Sequence, residues 1–163
     1  SEAMAAKNNE ETQAEGIKIV VQNRKARHDY EILDSYETGI VLLGTEVKSL
    51  RAGKAHLKDS YARFEKGEIF LNKVYISPYE PGNRFNHEPE RSRKLLLHRR
   101  EIRRLRMRAD QQGLTMVPLK LYFKRGKVKV ELGLVRGKKL HDKRHAIAER
   151  EVQRSIERAL KER

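Results

Sequence analysis

A mainly β fold with inserted helices, its short strands closed into a small antiparallel barrel and followed by a basic tail, is predicted by three observations. Apolar and polar residues alternate through 60–76 and 114–137, the two-residue period of half-buried strands. The dipeptides Lys66-Gly67 and Arg125-Gly126 break those runs where hairpin turns would fall. Helical spacing is confined to one short and one longer segment, and no internal repeat occurs. At 163 residues the chain has the length of one domain with appendages. Hydrophobic and charged residues each make up 37% and the mean hydropathy is -0.83. A core must therefore coexist with segments too polar to pack, which should be the ends.

Residues 1–16 are rich in Glu, Asn, Gln and Ala without apolar periodicity, and such a composition cannot bury enough surface to offset chain entropy. A disordered leader is expected, its Ser1-Glu2-Ala3 ahead of Met4 read as a tag remnant. From Ile17 short apolar segments begin, HDYEILDSY and then GIVLLGTEV, with Gly39 available for a turn between them. TEVKSLRAG reads as a short helix capped by Thr45, with Val47 and Leu50 one turn apart and Gly53 as terminator. It would present Lys48, Arg51 and Lys54 outward. SYARFEKGEIFLNKVYI is a hairpin around Lys66-Gly67, and SPYEPGNRFNHEPE, with three of the four prolines, must be a loop.

RKLLL, residues 93–97, is a short strand. HRREIRRLRMRADQQG continues as a helix with Ile102, Leu105 and Ala109 inward and Gly113 at its end. LTMVPLKLYFKRGKVKVELGLVRG forms a second hairpin. The tally is six or seven strands with two inserted helices over 17–135, which suggests a barrel of the kind oligonucleotide-binding domains use; a short βα sandwich is the alternative. Beyond Val135, residues 136–163 keep only a thin helical stripe of Val152, Ile156, Ala159 and Leu160. Arg150, Arg154 and Arg158 recur every four residues, a like-charge spacing that weakens an isolated helix. The tail should be disordered when free and helical when an anionic groove neutralises those arginines.

The net charge of +14 favours anionic partners, a nucleic acid or an anionic membrane. No run approaches the roughly 18 apolar residues of a membrane-spanning helix, and the polar N-terminal segment has no secretory core, so a cytosolic protein is expected. The absence of Cys excludes disulfides, thiol nucleophiles and thiolate zinc sites. No phosphate-binding glycine loop occurs, and neighbouring His141 and Asp142 would point apart on any regular backbone. An enzyme is not expected, nor a cofactor.

The densest charge lies in RSRKLLLHRREIRRLRMR, residues 91–108, where nine Lys or Arg face only Glu101. Such a run cannot pair internally and suits a nucleic-acid backbone. Within it His98 stands three residues before Glu101. It either caps the helix with that Glu reaching back, or stacks on an unpaired base; both readings stay open. NRKARHDY, residues 23–30, is a second cluster, with Arg24, Lys25, Arg27 and His28 leading into the first strand. GKKLHDKRH, residues 137–145, spaces His141 and His145 as zinc ligands could be. It lacks the Glu of a metalloprotease helix, has no third ligand, and places Lys143 and Arg144 where they would repel a cation.

In that order, NRKARHDYEI, GTEVKSLRAGKAHLKDSYARF, RSRKLLLHRREI and GKKLHDKR closely resemble the SmpB family of SsrA-binding proteins, from Ile17 to the C-terminus. The resemblance implies a barrel that holds the tRNA-like domain of transfer-messenger RNA and delivers it to stalled ribosomes, with elongation factor Tu in the delivery complex and the protein a monomer when bound. It implies RNA contacts at Glu37, an acidic position after the first strand, and at Leu96 and His98, where some members carry Asn. Arg24, Lys25, Arg27, His28, Lys48, Arg51, Lys54, Arg91, Arg93 and Lys94 are the expected further RNA contacts, chiefly to phosphates. Gly137, Lys138, Lys139, His141, Asp142, Lys143 and Arg144 match the family's tail motif. Its implied role is to read the decoding centre, with the helix bearing Arg150, Arg154 and Arg158 in the empty message channel. Two other readings compete: a structural ribosomal RNA-binding protein, and a metal-dependent nuclease that would need a metal the sequence offers few ligands for.

Overall fold

The computed structural model describes residues 16–82, 86–137 and 154–161. Lys66 and Gly67 both take positive φ, 50° and 76°, as do Arg125 and Gly126 at 51° and 78°. Two consecutive left-handed residues twist a turn to match the strands it joins, so both dipeptides close hairpins. The first joins β4 (Tyr61–Glu65) to β5 (Glu68–Asn72), the second β8 (Thr115–Lys124) to β9 (Lys127–Gly137). Before them lie β1 (Ile17–Gln22), α1 (Arg24–Asp29), β2 (Tyr30–Ile40), α2 (Gly44–Arg51) and β3 (Ala55–His56). Between the hairpins run β6 (Tyr75–Ile76), a 3-10 turn at Glu80–Gly82, β7 (Arg93–Leu96) and α3 (Arg99–Gln112).

All strand pairs are antiparallel, as alternating runs joined by tight turns require. Starting from β8, hydrogen bonds pass through β4, β5, β7, β2 and β9 and return to β8, a ring of strands with β1 added against β8. β3 and β6 form a separate short ladder. The fold is thus mainly antiparallel β with a few helices, as predicted. Inside the ring Ile69, Leu71, Leu95, Leu121, Val130, Leu132 and Leu134 are buried, joined by Ile102, Leu105 and Ala109 of α3, the three residues its spacing aimed inward. Gly113 ends that helix at φ 62° and returns its N–H to the Ala109 carbonyl.

Several local expectations are corrected. Gly39 makes no turn: β2 runs through it, pairing it with Leu96 on one side and Lys129 on the other. A side chain there would meet the Leu96 Cβ at 3.1 Å, so the glycine serves close approach rather than bending. Thr45 does not cap α2. Glu46 does, accepting from the Leu43 N–H at 2.7 Å, while the Thr45 hydroxyl lies 2.8 Å from Nδ1 of buried His87. The His87 Nε2 is 2.9 Å from the Ile76 carbonyl, which can only accept, so Nε2 carries a proton. Gly53 terminates α2 as predicted, with its N–H on the Leu50 carbonyl and that of Lys54 on Ser49.

The basic cluster after Asn23 leads not into the first strand but through a helix, α1, the first strand being Ile17–Gln22. Asn23 accepts from the Ala26 N–H at 3.0 Å, which caps α1, and donates to the Pro118 and Leu119 carbonyls at 3.0 and 2.7 Å. Pro118 stands at a register shift of β8, a position a ladder tolerates for a residue without an N–H. Ala26 packs there on Val117, Leu119 and Val135. The strand pattern also outlasts Val135: Arg136 and Gly137 still pair with Glu31 and Tyr30. The expected leader, but for Gly16, and residues 138–153 of the expected tail lie outside the described residues. A helix is present over 154–161, its residues all exposed.

Candidate nucleic-acid interface

On the β2–β7 pair, alternation settles which side chains face out. Leu95 opposite Ile40 is buried, so Leu96 opposite Gly39 projects outward and is 51% exposed. Glu37, two residues before Gly39 on β2, and His98, two residues after Leu96, are exposed as well. The three residues singled out by the resemblance thus share one strip, with Leu96 lying over Gly39 and exposed Val41 beside it, its N–H on the Lys94 carbonyl.

Glu37 stands within β2. Its carboxylate accepts from the Tyr122 hydroxyl at 2.7 Å and from Lys124 Nζ at 3.3 Å. These bonds, the tyrosine's first, hold its pKa below the usual carboxylate range against the opposing effect of burial. Glu37 is therefore an ionised acceptor that orients a tyrosine and a lysine, with oxygen surface left for an N–H or hydroxyl of a partner. His98 bears out the capping reading only through its backbone. Glu101 does reach back, accepting from the His98 N–H at 3.1 Å, yet the exposed imidazole makes no cap bond. The ring is left facing solvent.

Basic side chains lie on α1, α2, β7 and α3. Arg99, Arg100, Arg103 and Arg104 of α3 are exposed, and among the described residues no carboxylate lies within ion-pair range of them. Arg108 is instead occupied, by Asp34 at 2.7 Å and the Tyr36 hydroxyl at 2.8 Å. Lys94 points outward beside Leu96, 3.6 Å from Glu68. On α1, Arg24, Lys25, Arg27 and His28 are exposed, Arg27 at 4.0 Å from Glu131 and His28 bonded to Asp29 at 3.0 Å. On α2, Lys48 and Arg51 face out as predicted, over the rings of Tyr79 and Phe123, and exposed Lys54 follows.

Arg93 is the clearest correction. It is 0% exposed and spends its donors on Glu46, on the Val74 carbonyl at 2.8 Å and on the Pro89 carbonyl at 3.0 Å. It cannot meet a phosphate. Alternation carried the signal: if Leu95 faces in, so does Arg93 two residues earlier. Arg91 is half-withdrawn as well, bonded to Glu46 at 2.7 Å. Gly137, matched to the family's tail motif, is the last residue of β9, opposite Tyr30. Lys138, Lys139, His141, Asp142, Lys143, Arg144 and Arg150 lie outside the described residues, while Arg154 and Arg158 fall in the exposed helix over 154–161. Composition alone flagged the arginines of α3 without ranking them; which of them lack partners is visible only in three dimensions.

Among the described residues no three His, Asp or Glu side chains converge as a metal group would need, and no helix is long and apolar enough to cross a membrane. An outward strip joining apolar, aromatic and unpaired basic side chains, on a chain of net charge +14, defines a nucleic-acid-binding protein. A family model described as SmpB protein matches residues 20–162. An SsrA-binding protein of Moorella thermoacetica is 62% identical over 148 residues, covering 90% of this chain and 96% of its own. That of Desulforudis audaxviator is 61% identical over 144 residues, 88% and 94% of the two chains. That of Desulforamulus reducens is 56% identical over 98% of both. A solved chain described as "tmRNA-SmpB: a journey to the center of the bacterial ribosome" is similar at 61% identity and TM-score 0.62, covering 72% of this chain and 83% of that one. The chain belongs to the SmpB family, whose members are RNA-binding proteins rather than enzymes.

Proposed function

We propose that this protein binds the tRNA-like domain of transfer-messenger RNA and brings it to stalled ribosomes in the cytoplasm, where incomplete proteins are tagged. The ring of strands reads as a small closed barrel of the oligonucleotide-binding kind, and its Glu37–Leu96–His98 strip as the surface that meets bases. The observation that carries this is the shared outward face of those three residues, bordered by unpaired arginines. Phosphates fall to Arg24, Lys25, Arg27, Lys48, Arg51, Lys54 and Lys94, with Arg91 marginal and Arg93 excluded. The tail beyond Gly137 reads the decoding centre and the empty message channel, and elongation factor Tu joins the delivery complex. The names of the relatives and of the similar solved chain support this reading.

Neutralising about six phosphates should give affinity for a tRNA-like fragment a log-log salt slope on the order of -4 to -5. A salt-independent affinity would contradict the proposal. Sequencing the RNA that co-purifies tests the partner: one dominant RNA with a tRNA-like end supports rescue, whereas stoichiometric presence in every ribosome favours a structural ribosomal protein. His98→Ala should weaken that RNA binding by roughly 1 kcal/mol or more, the worth of a base stacked on an aromatic ring. Because the imidazole makes no bond of its own to the fold, the thermal midpoint should not move. An unchanged affinity in a filter-binding titration would make the ring a bystander.

A further inference from the structure

Where α3 passes the β4–β5 turn, a pocket of about 310 Å³ opens between them, within the lower range of ligand sites, roughly 300–1,000 Å³. Its apolar part is formed by Phe64 and Ile102. Its cations are Lys66 from the turn and Arg99, Arg103 and Arg106 from α3, spaced so that they share one helix face. Glu68, the carboxylate among the lining residues, already has Lys94 at 3.6 Å. Arg106 lies with its guanidinium 5.9 Å from the Phe64 ring centre and only 3.8 Å from exposed Asp110. Arg99 and Arg103 have no carboxylate in range among the described residues.

An apolar floor carrying an aromatic ring and a guanidinium accepts a flat base, and unpaired guanidiniums beside it accept a phosphate. We propose that this pocket holds one unpaired nucleotide of the bound RNA, its base against Phe64 and Arg106 and its phosphate on Arg99 and Arg103. The occupant is part of an RNA chain rather than a free nucleotide because the pocket is continuous with the strip already described. Arg99 follows His98 directly, and the Lys94–Glu68 pair joins the pocket rim to β7. The inference rests on the RNA-binding reading and extends its footprint across α3 to the first hairpin.

The full chain with a tRNA-like RNA fragment provides the test. Arg99→Gln with Arg103→Gln, both exposed, should make the salt slope shallower by about one for each phosphate no longer neutralised. Phe64→Leu keeps an apolar side chain but removes the ring, and should weaken binding roughly fivefold or more. In a series of fragments made abasic at each unpaired position in turn, wild type and Phe64→Leu should bind equally at one position. A double arginine variant with the wild-type slope would overturn the inference, as would a Phe64→Leu deficit that persists at every abasic position. Adenosine monophosphate alone binding to these arginines as tightly as the fragment does would equally overturn it, marking a free-nucleotide site. If the wild type itself shows no salt-dependent affinity for the fragment, the RNA reading fails instead.

Discussion

Glu46→Gln is expected to cost about 3–5 kcal/mol of folding stability, the penalty for removing one partner of a buried ion pair. Glu46 and Arg93 are both fully buried, and Arg91 and the Leu43 N–H also donate to the same carboxylate. The amide keeps the shape and an acceptor but no charge, so the Arg93 guanidinium is left buried with neutral carbonyls alone. For a chain of this size the thermal midpoint should fall by on the order of 10 °C, and denaturant unfolding would measure the loss directly. A change of under about 1 kcal/mol would show that the carbonyls of Val74 and Pro89 suffice for Arg93.

The same carboxylate gives the stability a pH dependence. Burial pushes the Glu46 pKa up, but hydrogen bonds from Arg91, the Leu43 N–H and Arg93 outweigh it and leave the group below its usual 4.5. The unfolded chain therefore takes up a proton more readily than the folded one. The Glu46 contribution is fully present above the ordinary carboxylate pKa and is lost as the pH falls through the lower folded-state value. Glu46→Gln should lack that part of the acid sensitivity, so the wild-type and variant stabilities converge towards low pH.

Removing residues 138–163 should leave affinity for the tRNA-like RNA nearly intact and abolish peptide tagging on stalled ribosomes. The strip and its flanking cations lie within 24–104, so the RNA-facing surface survives, while the segment proposed to read the decoding centre is lost. The cut belongs after Gly137, because Arg136 and Gly137 still pair with Glu31 and Tyr30, and a cut at Val135 would also remove the last two residues of β9. Within the tail, His141→Ala should spare RNA binding and impair accommodation. A gel-shift titration paired with a tagging assay separates the two; equal loss of both functions on truncation would refute the division of roles.

Hairpins, the long helix and its buried face were legible in the sequence because their causes are local. Two-residue turns with a glycine, the inward spacing of Ile102, Leu105 and Ala109, and Gly113 in the left-handed region all act within a few residues. α1 was not legible: a six-residue basic helix has little propensity of its own, and it stands because Asn23 caps it and Ala26 docks on β8 and β9. Gly39 signalled a turn by composition, yet serves the close approach of a residue 57 positions later in the chain, Leu96.

The chain by itself determined the antiparallel β class, the placing of its turns and the surplus of cations that calls for a polyanion. Only the tertiary structure decided which of those cations are spent and which face outward. Arg93 and Arg99 belong to the same basic run, but Glu46 reaches the first across 47 positions and no carboxylate among the described residues reaches the second. A charge enters the core only where a partner arrives to compensate it, and where partners arrive is set by strand register, not by the residues beside it.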